Sequence, residues 1–292
     1  MNFLKALFGS KKENPEEKRK EDEAKNFDVL KYGGVAALKT NQVEYAIRCF
    51  NHALHIKDDL EVRDYLSQAL MSNGELLPAY EQLQKLAEAQ PDNEQILLRM
   101  ANVAYMMEDY GAMGDACEKA MLINKDDPQV LFLYARACIG QGDQVNAIAM
   151  LTKAITQNAD FVDAYLLRGE TLLKMGDVAG AAEDADLLVS KVEGNEDVLL
   201  LKARVEEAKG NHDQAVAIYN KVIEVNPFCA NAFRERGAIR KALGDLEGAE
   251  EDMKSVLELS PDEANGSPAA AEADGIQHKT EQKYKEMNPY GF

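Results

Sequence analysis

Three residues of this sequence have the types and spacing from which a metal site could be built. Cys49, His52 and His55 follow one another at intervals of three residues, which places them near one side of a helix. A thiolate and imidazole nitrogens are ligands that zinc prefers. Ligands on one face of a helix usually stand at i and i+4, or at i and i+3 with further support, and we therefore expect two surface histidines and no metal site.

The cysteines as a set show no pattern that would give them a chemical role. The four of them have no CxxC pair and no regular spacing, whereas a disulfide framework or a zinc site needs closer clustering. We expect buried thiols in a reducing compartment, which predicts a cytoplasmic protein. The four are Cys49, Cys117, Cys138 and Cys229.

Motifs for catalysis or cofactor binding are missing from the sequence. No glycine-rich loop has the form that cradles phosphates, and no serine or cysteine stands in a strand-to-helix elbow. We predict that the protein is not an enzyme, with no catalytic, cofactor-binding or metal-binding residue and no small-molecule substrate.

Charge excludes a further class of partner. The 292 residues include 51 acidic and 33 basic side chains, and the formal net charge is −18. Nucleic-acid binding depends on Lys and Arg neutralising phosphates, so we expect no nucleic-acid partner. This length allows one elongated domain or two compact ones.

A repeat of 34 residues organises the elements of the chain. The segments GDQVNA, GDVAGA, GNHDQA and GDLEGA begin at Gly142, Gly176, Gly210 and Gly244, each 34 residues after the last. The turn residues of the earlier units are Asn41, Gly74 and Glu108; Gly74 and Glu108 keep the period, and Asn41 lies one residue short of it. The seven units span about 27–59, 60–93, 94–127, 128–161, 162–195, 196–229 and 230–263.

Small residues recur in register with these turns. Glycine at a turn accepts the left-handed conformation that ends a helix, and the Asp or Asn that follows can cap the next helix. Two antiparallel helices approach closely where their facing residues are small, so each unit is predicted to be a helical hairpin. The residues seven positions before the turn are Gly34, Ser67, Ala101, Ala135, Gly169, Ala203 and Gly237.

This pattern resembles the tetratricopeptide repeat family over about four-fifths of the chain. The resemblance implies an all-α fold, a right-handed superhelical solenoid of antiparallel helix pairs. Met113 and Leu86 depart from the pattern, since they replace expected alanines. Pentatricopeptide repeats are the nearest alternative, but their 35-residue period and basic RNA-reading face both disagree with this sequence.

The segments before the repeats are of two kinds. Residues 1–13 are a short apolar and basic segment, in which residues 2–12 could anchor the chain to a membrane surface or a partner groove. The alternative is a frayed terminus. Residues 14–26 are a charged helical lead-in, and no stretch of the chain approaches the roughly 18 apolar residues of a membrane span.

Residues 264–292 are predicted to hold a linker, a capping helix and a C-terminal tail. Ser267-Pro268 could start a helix reaching Met287, and the end of a solenoid needs such a cover. The tail 288–292 cannot be helical, and the sequence does not choose between a recognition tag and a segment that folds back. One stripe of the predicted helix carries Ile276, Thr280, Tyr284 and Met287.

In the family that this chain resembles, the first helix of each repeat lines a concave surface. The matching positions of repeats three to six are apolar with charged neighbours, which is typical of a groove for a peptide or helix. The alternative is that these side chains merely complete the core. The predicted partner-binding residues are Leu98, Asn102, Tyr105, Phe132, Arg136, Ile139, Leu166, Glu170, Leu173, Leu200 and Arg204.

The family's clamp for peptide carboxylates is not matched. Lys31 and Arg99 fit it, whereas Val35, Tyr65 and Gln95 do not. The expected function is a non-catalytic scaffold or adaptor that binds a protein or peptide partner in its concave groove. The alternative is a peripheral membrane assembly factor tethered by the N-terminal segment.

Overall fold

A computed structural model describes residues 15–260, and this part of the chain is all-helical, without a strand. Its helices are α1 (Pro15–Lys39), α2 (Val43–Ile56), α3 (Leu60–Ser72), α4 (Leu76–Ala89), α5 (Glu94–Met106), α6 (Tyr110–Ile123), α7 (Pro128–Gly140), α8 (Gln144–Gln157), α9 (Val162–Lys174), α10 (Val178–Lys191), α11 (Glu196–Ala208), α12 (His212–Val225), α13 (Ala230–Leu243) and α14 (Leu246–Leu259).

The helices form two compact units, divided after Lys119. In the first unit α1 packs on α2, α2 on α3, α3 on α4 and α4 on α5. In the second unit the same order of neighbours runs from α7 to α14. Each hairpin therefore covers the apolar face of the one before it. The predicted all-α solenoid of antiparallel helix pairs is confirmed.

Left-handed turn residues separate the two helices of every repeat. Five of the seven are glycines, for example Gly142 with a φ of 81°. Asn41 and Glu108 take the same conformation at φ of 58° and 56°, although side chains make it costly. The turn geometry is thus set by the period and is kept even where glycine is missing.

Helix capping after the turn residues follows the predicted pattern at three aspartates but not at Asn211. Asp143, Asp177 and Asp245 each accept a hydrogen bond from a backbone N–H of the first turn of the next helix. Asn211 makes no such bond. Its side-chain amide instead donates to Glu206 at 2.7 Å, because a buried carboxylate attracts the available donor.

The small-residue positions explain how closely the helices approach. A Cβ atom added to Gly34 would lie 2.5 Å from the Phe50 ring, and one added to Gly169 would lie 2.8 Å from Leu201. All seven residues of this column are buried. Any larger side chain would push the neighbouring helix away and open the core.

Each unit has its own core. In the first unit it is centred on Phe27, Phe50 and Leu66. One cluster of the second unit is centred on Leu151, Leu188 and Leu201, and another contains residues from α11, α12 and α13. The charged lead-in is part of α1, which runs without a break into the first repeat.

Candidate partner-binding surface

The residues that could have formed a metal site do not come together as one. Cys49 is buried in the core, whereas His52 and His55 are exposed with ring centroids 6.5 Å apart. Among residues 15–260, no group of three or more His, Cys, Asp or Glu side chains could hold a metal ion. All four cysteines are free and buried.

The predicted groove residues all lie on first helices of repeats. Leu98, Asn102 and Tyr105 lie on α5 in the first unit, and the other eight lie on α7, α9 and α11 in the second. Most are half-buried, while Glu170 is exposed.

Leu200 is a correction to the predicted set. Its side chain is only 3% exposed and belongs to a core cluster with Ala203 and Tyr219. It cannot offer surface to a partner, because the second helix of its repeat already covers it. The same sequence position is half-buried in the two preceding repeats, at Phe132 and Leu166.

An apolar stripe remains on the first helices of the second unit. It consists of Phe132 and Ile139 on α7 and Leu166 and Leu173 on α9. All four side chains are half-buried and pack against a complete core. The Phe132 ring also lies 5.1 Å from the ring of Phe161, measured between centroids. We call these four residues the apolar stripe.

Charged groups border the apolar stripe. The guanidinium of Arg136 lies over the Phe132 ring, 5.7 Å from its centroid. This geometry allows a cation–π contact, and it keeps a positive charge beside the apolar surface. Such a border is suited to a ligand with apolar anchors and an adjacent acidic or polar group.

Arg204 has an intramolecular partner that was not predicted. Its guanidinium donates to both carboxylate oxygens of Glu235, at 2.7 to 3.1 Å. Burial acts to lower the pKa of Arg204, but Glu235 and, to a lesser degree, Glu170 raise it above its ordinary value. Arg204 therefore stays charged and its charge is already balanced.

Tyr219 completes this cluster from the second helix of the repeat. Its hydroxyl donates to Glu235 at 2.9 Å, and burial together with that carboxylate raises the pKa of Tyr219. Sequence reasoning missed Tyr219 and Glu235. The available signal was a polar tip at a position that is apolar in the other repeats, since a buried hydroxyl needs a partner.

In the first two repeats of the first unit, the residues at the position of Phe132 are charged, namely Lys31 and Asp64. The Nζ of Lys31 on α1 lies 2.5 Å from a carboxylate oxygen of Glu61 on α3. Asp64 on α3 pairs with Arg99 on α5 and accepts a hydrogen bond from Gln68. These pairs join successive first helices, so charged side chains here have partners within the unit.

No helix within residues 15–260 combines the length and the apolar character needed to cross a bilayer. The N-terminal segment 1–13 lies outside the described residues, and the anchor suggested by its sequence stays a prediction. The predicted cap and tail of residues 264–292 also lie outside them.

Comparison with known proteins identifies the class of this chain, which is a helical-hairpin solenoid. A solved structure of a tetratricopeptide repeat protein from Parabacteroides merdae superimposes with a TM-score of 0.69 at 16% identity, covering 88% of this chain and 99% of that one. The structure of PilW, a type IV pilus biogenesis factor, superimposes with a TM-score of 0.62 at 17% identity. This superposition covers 69% of this chain and 94% of PilW.

The family follows from the sequence match. The tetratricopeptide repeat family model matches residues 140–196 and 200–264. This match identifies tetratricopeptide repeats within those residues, and the hairpins of the other described residues have the same fold as the solved tetratricopeptide repeat structure.

Curated relatives share only part of their length with this chain. Human tetratricopeptide repeat protein 16 is 24% identical over 211 residues, which is 66% of this chain and 24% of that protein. Human DnaJ homolog subfamily C member 3 is 29% identical over 164 residues, which is 48% of this chain and 32% of that protein. The Arabidopsis thaliana CTR9 homolog is 29% identical over 119 residues, which is 40% of this chain and 11% of that protein. The chain thus spans less than a third of each of these relatives.

Proposed function

We propose that this protein is a non-catalytic scaffold or adaptor that binds a peptide or helix of a partner protein on the first helices of its second unit. The apolar stripe carries this proposal. Its four side chains keep part of their surface in solvent although the core behind them is complete. Apolar surface that folding does not require is typical of a binding site.

The properties of the expected ligand follow from the border of the stripe. Leu166 and Leu173 lie two turns apart on α9, a separation of about 10 Å that suits anchor residues at i and i+7 of a bound helix. Arg136 offers a positive charge beside one anchor. Arg204 is balanced by Glu235, which weakens its attraction for an acidic group of a ligand.

One solved structure with a similar fold is described as binding a peptide. YrrB, described as a tetratricopeptide repeat protein with an unusual peptide-binding site, superimposes with a TM-score of 0.50 at 18% identity, covering 62% of this chain and 93% of its own. This level of identity relates the folds alone. The proposal for this chain rests on its own apolar stripe.

Selection from a displayed peptide library tests the proposal directly. We expect the full chain to enrich peptides with two apolar anchors, and L166S/L173S to bind them about tenfold to a hundredfold more weakly, because buried anchors dominate such interfaces. Val145 on α8 is exposed, so V145S is the matched control and should bind normally. A folded L166S/L173S variant that keeps the affinity of the wild type would remove the apolar stripe as the site.

We also propose a cytoplasmic location. The four free and buried cysteines support it, since reduced thiols persist in the cytosol. Cell fractionation that recovered the protein only from an oxidising compartment would contradict it.

A further inference from the structure

The first hairpin exposes a helix face that the six later repeats bury. Val29 stands twelve residues before its turn residue and is 71% exposed, whereas the six equivalent residues are at most 3% exposed. Ala36, five residues before the turn, is also exposed, and its six equivalents are at most 5% exposed. The equivalents of Val29 are Val62, Ile96, Val130, Ala164, Val198 and Ala232.

Tyr32 extends this face between Val29 and Ala36. It is 66% exposed, and its spacing of three and four residues from the other two places all three on one side of α1. Gly33 beside it has no atom within 4 Å of the position where a Cβ would stand, so another helix has room to approach. We call Val29, Tyr32 and Ala36 the entry face.

We infer that the entry face is a dimer interface, which packs against the same face of a second copy of this protein. A two-fold axis gives such an interface, because one patch then meets an identical one. With antiparallel α1 helices and the axis between Val29 and Tyr32, Val29 of each copy lies level with Tyr32 of the other. Both side chains then lose apolar surface that is exposed in a single copy.

Charge complementarity selects a second copy as the occupant. With the same axis, Lys39 of one copy lies level with Asp22 of the other, and Glu21 is the next residue. All three are exposed, so the dimer gains one set of opposite charges at each end of the contact. Lys25, the other lysine on this side of α1, lies level with Ala36. This order matters in a protein of net charge −18, in which most pairings of two copies would bring acidic surfaces together.

The chain's own N-terminal segment is less complementary to the entry face. Residues 1–12 contain Lys5, Lys11 and Lys12 and no acidic residue, so they offer no opposite charge to Lys39. The entry face belongs to the first unit and the apolar stripe to the second. The dimer and the proposed ligand site can therefore be tested separately.

Sedimentation equilibrium of the full chain tests the inference. One helix from each copy makes a small interface, so we expect a dimer with a Kd of about 1–100 µM, seen as a rise from 32.3 kDa towards twice that mass. In V29E/Y32E we expect only the monomer over this range, because the substitutions place carboxylates in an apolar contact. A wild type that remains monomeric would overturn the inference and leave residues 1–12 or another protein as the occupant.

A control with the same net charge separates the entry face from general repulsion. Leu77 on α4 and Val145 on α8 are both exposed, so L77E/V145E should dimerise as the wild type does. Circular dichroism checks that both double variants keep their helices. A folded V29E/Y32E that still dimerises, or an L77E/V145E that is monomeric, would contradict the entry face as the interface.

Charge reversal tests the antiparallel arrangement. We expect K39E and E21K/D22K each to dimerise about tenfold more weakly than the wild type, because each brings like charges together. An equimolar mixture should form the heterodimer with close to the affinity of the wild type, since opposite charges then meet at both ends. A labelled variant in the same sedimentation experiment measures this. A mixture that associates no better than its components would overturn the two-fold contact.

Discussion

At the scale of the residue, Glu206 is a carboxylate whose environment predicts a pH dependence. Its side chain is buried and accepts hydrogen bonds from Lys202 at 2.6 Å, Lys209 at 3.1 Å and Asn211 at 2.7 Å. Burial acts to raise its pKa, but the three donors together lower the pKa of Glu206 from 4.5 to about 2. Its contribution to stability is therefore complete above about pH 4.5 and is lost as the pH falls towards 2.

Replacing Glu206 with Gln should remove this contribution. We expect E206Q to lower the free energy of unfolding by about 1–3 kcal/mol at pH 7, and to lose less stability than the wild type between pH 5 and pH 3. Urea unfolding at pH 7, 5 and 3 measures both effects. Glu224 on α12 is exposed, so E224Q should behave as the wild type. Parallel pH profiles for E206Q and the wild type would show that Glu206 does not titrate as inferred.

A second prediction at this scale concerns the left-handed turn at Glu108. Its φ of 56° costs a residue with a Cβ about 1 kcal/mol, and part of this is returned when glycine replaces it. We expect E108G to raise the Tm and the reverse substitution, G142A at a φ of 81°, to lower it. Thermal unfolding followed by circular dichroism measures both. A lower Tm for E108G would mean that the Glu108 side chain stabilises the turn by more than the strain costs.

At the scale of the element, buried ion pairs join the two helices of a repeat. Arg168 on α9 donates to both oxygens of Asp184 on α10, at 2.6 and 2.9 Å, and also to Thr152 on α8 at 3.0 Å. The pair of Arg236 and Asp252 has the same arrangement two repeats later. The pair thus fixes the relative position of neighbouring helices.

Breaking one of these pairs should cost more than replacing it whole. We expect D184L to lower the free energy of unfolding by about 3 kcal/mol, because it leaves the Arg168 charge without its buried partner, and the R168M/D184L double variant to lose less than R168M and D184L combined. Urea unfolding gives the three values. Asp160 in an exposed pair with Lys191 is the control, and D160A should unfold at the same urea concentration as the wild type. Additive losses in the double variant would show that the two side chains do not act as a pair.

At the scale of the whole molecule, the net charge of −18 predicts a salt effect on stability. Self-repulsion of the folded chain is screened when the Debye length falls from about 30 Å at 0.01 M salt to about 8 Å at 0.15 M. We expect the Tm to rise over this range of NaCl. A fall in Tm would show that the surface ion pairs, which salt also weakens, outweigh the repulsion.

The repeats illustrate how much of the fold could be predicted. Turn positions, helix pairs and the close approach at Gly34 and Gly169 follow from the 34-residue period, because each depends on local conformation and on residue size. The predicted N-cap at Asn211 was wrong, because its amide donates to the buried carboxylate of Glu206. The turn pattern contains no information about this carboxylate. The candidate site was predicted less completely, since Phe132 and Leu200 occupy equivalent positions but differ in exposure.

By itself the sequence determined the class of fold, the number and phase of the hairpins and the first helices on which a ligand is expected. Periodicity carries these properties, since one turn residue and one small residue per unit are enough to set the chain's path. Only the tertiary structure decided that Leu200 is core, that Arg204 is balanced by Glu235 and Tyr219, and that Val29 and Met253 are exposed where the other repeats have a buried residue. Burial and pairing depend on which side chains from other helices arrive at a position, and equivalent positions of a repeat do not share those neighbours.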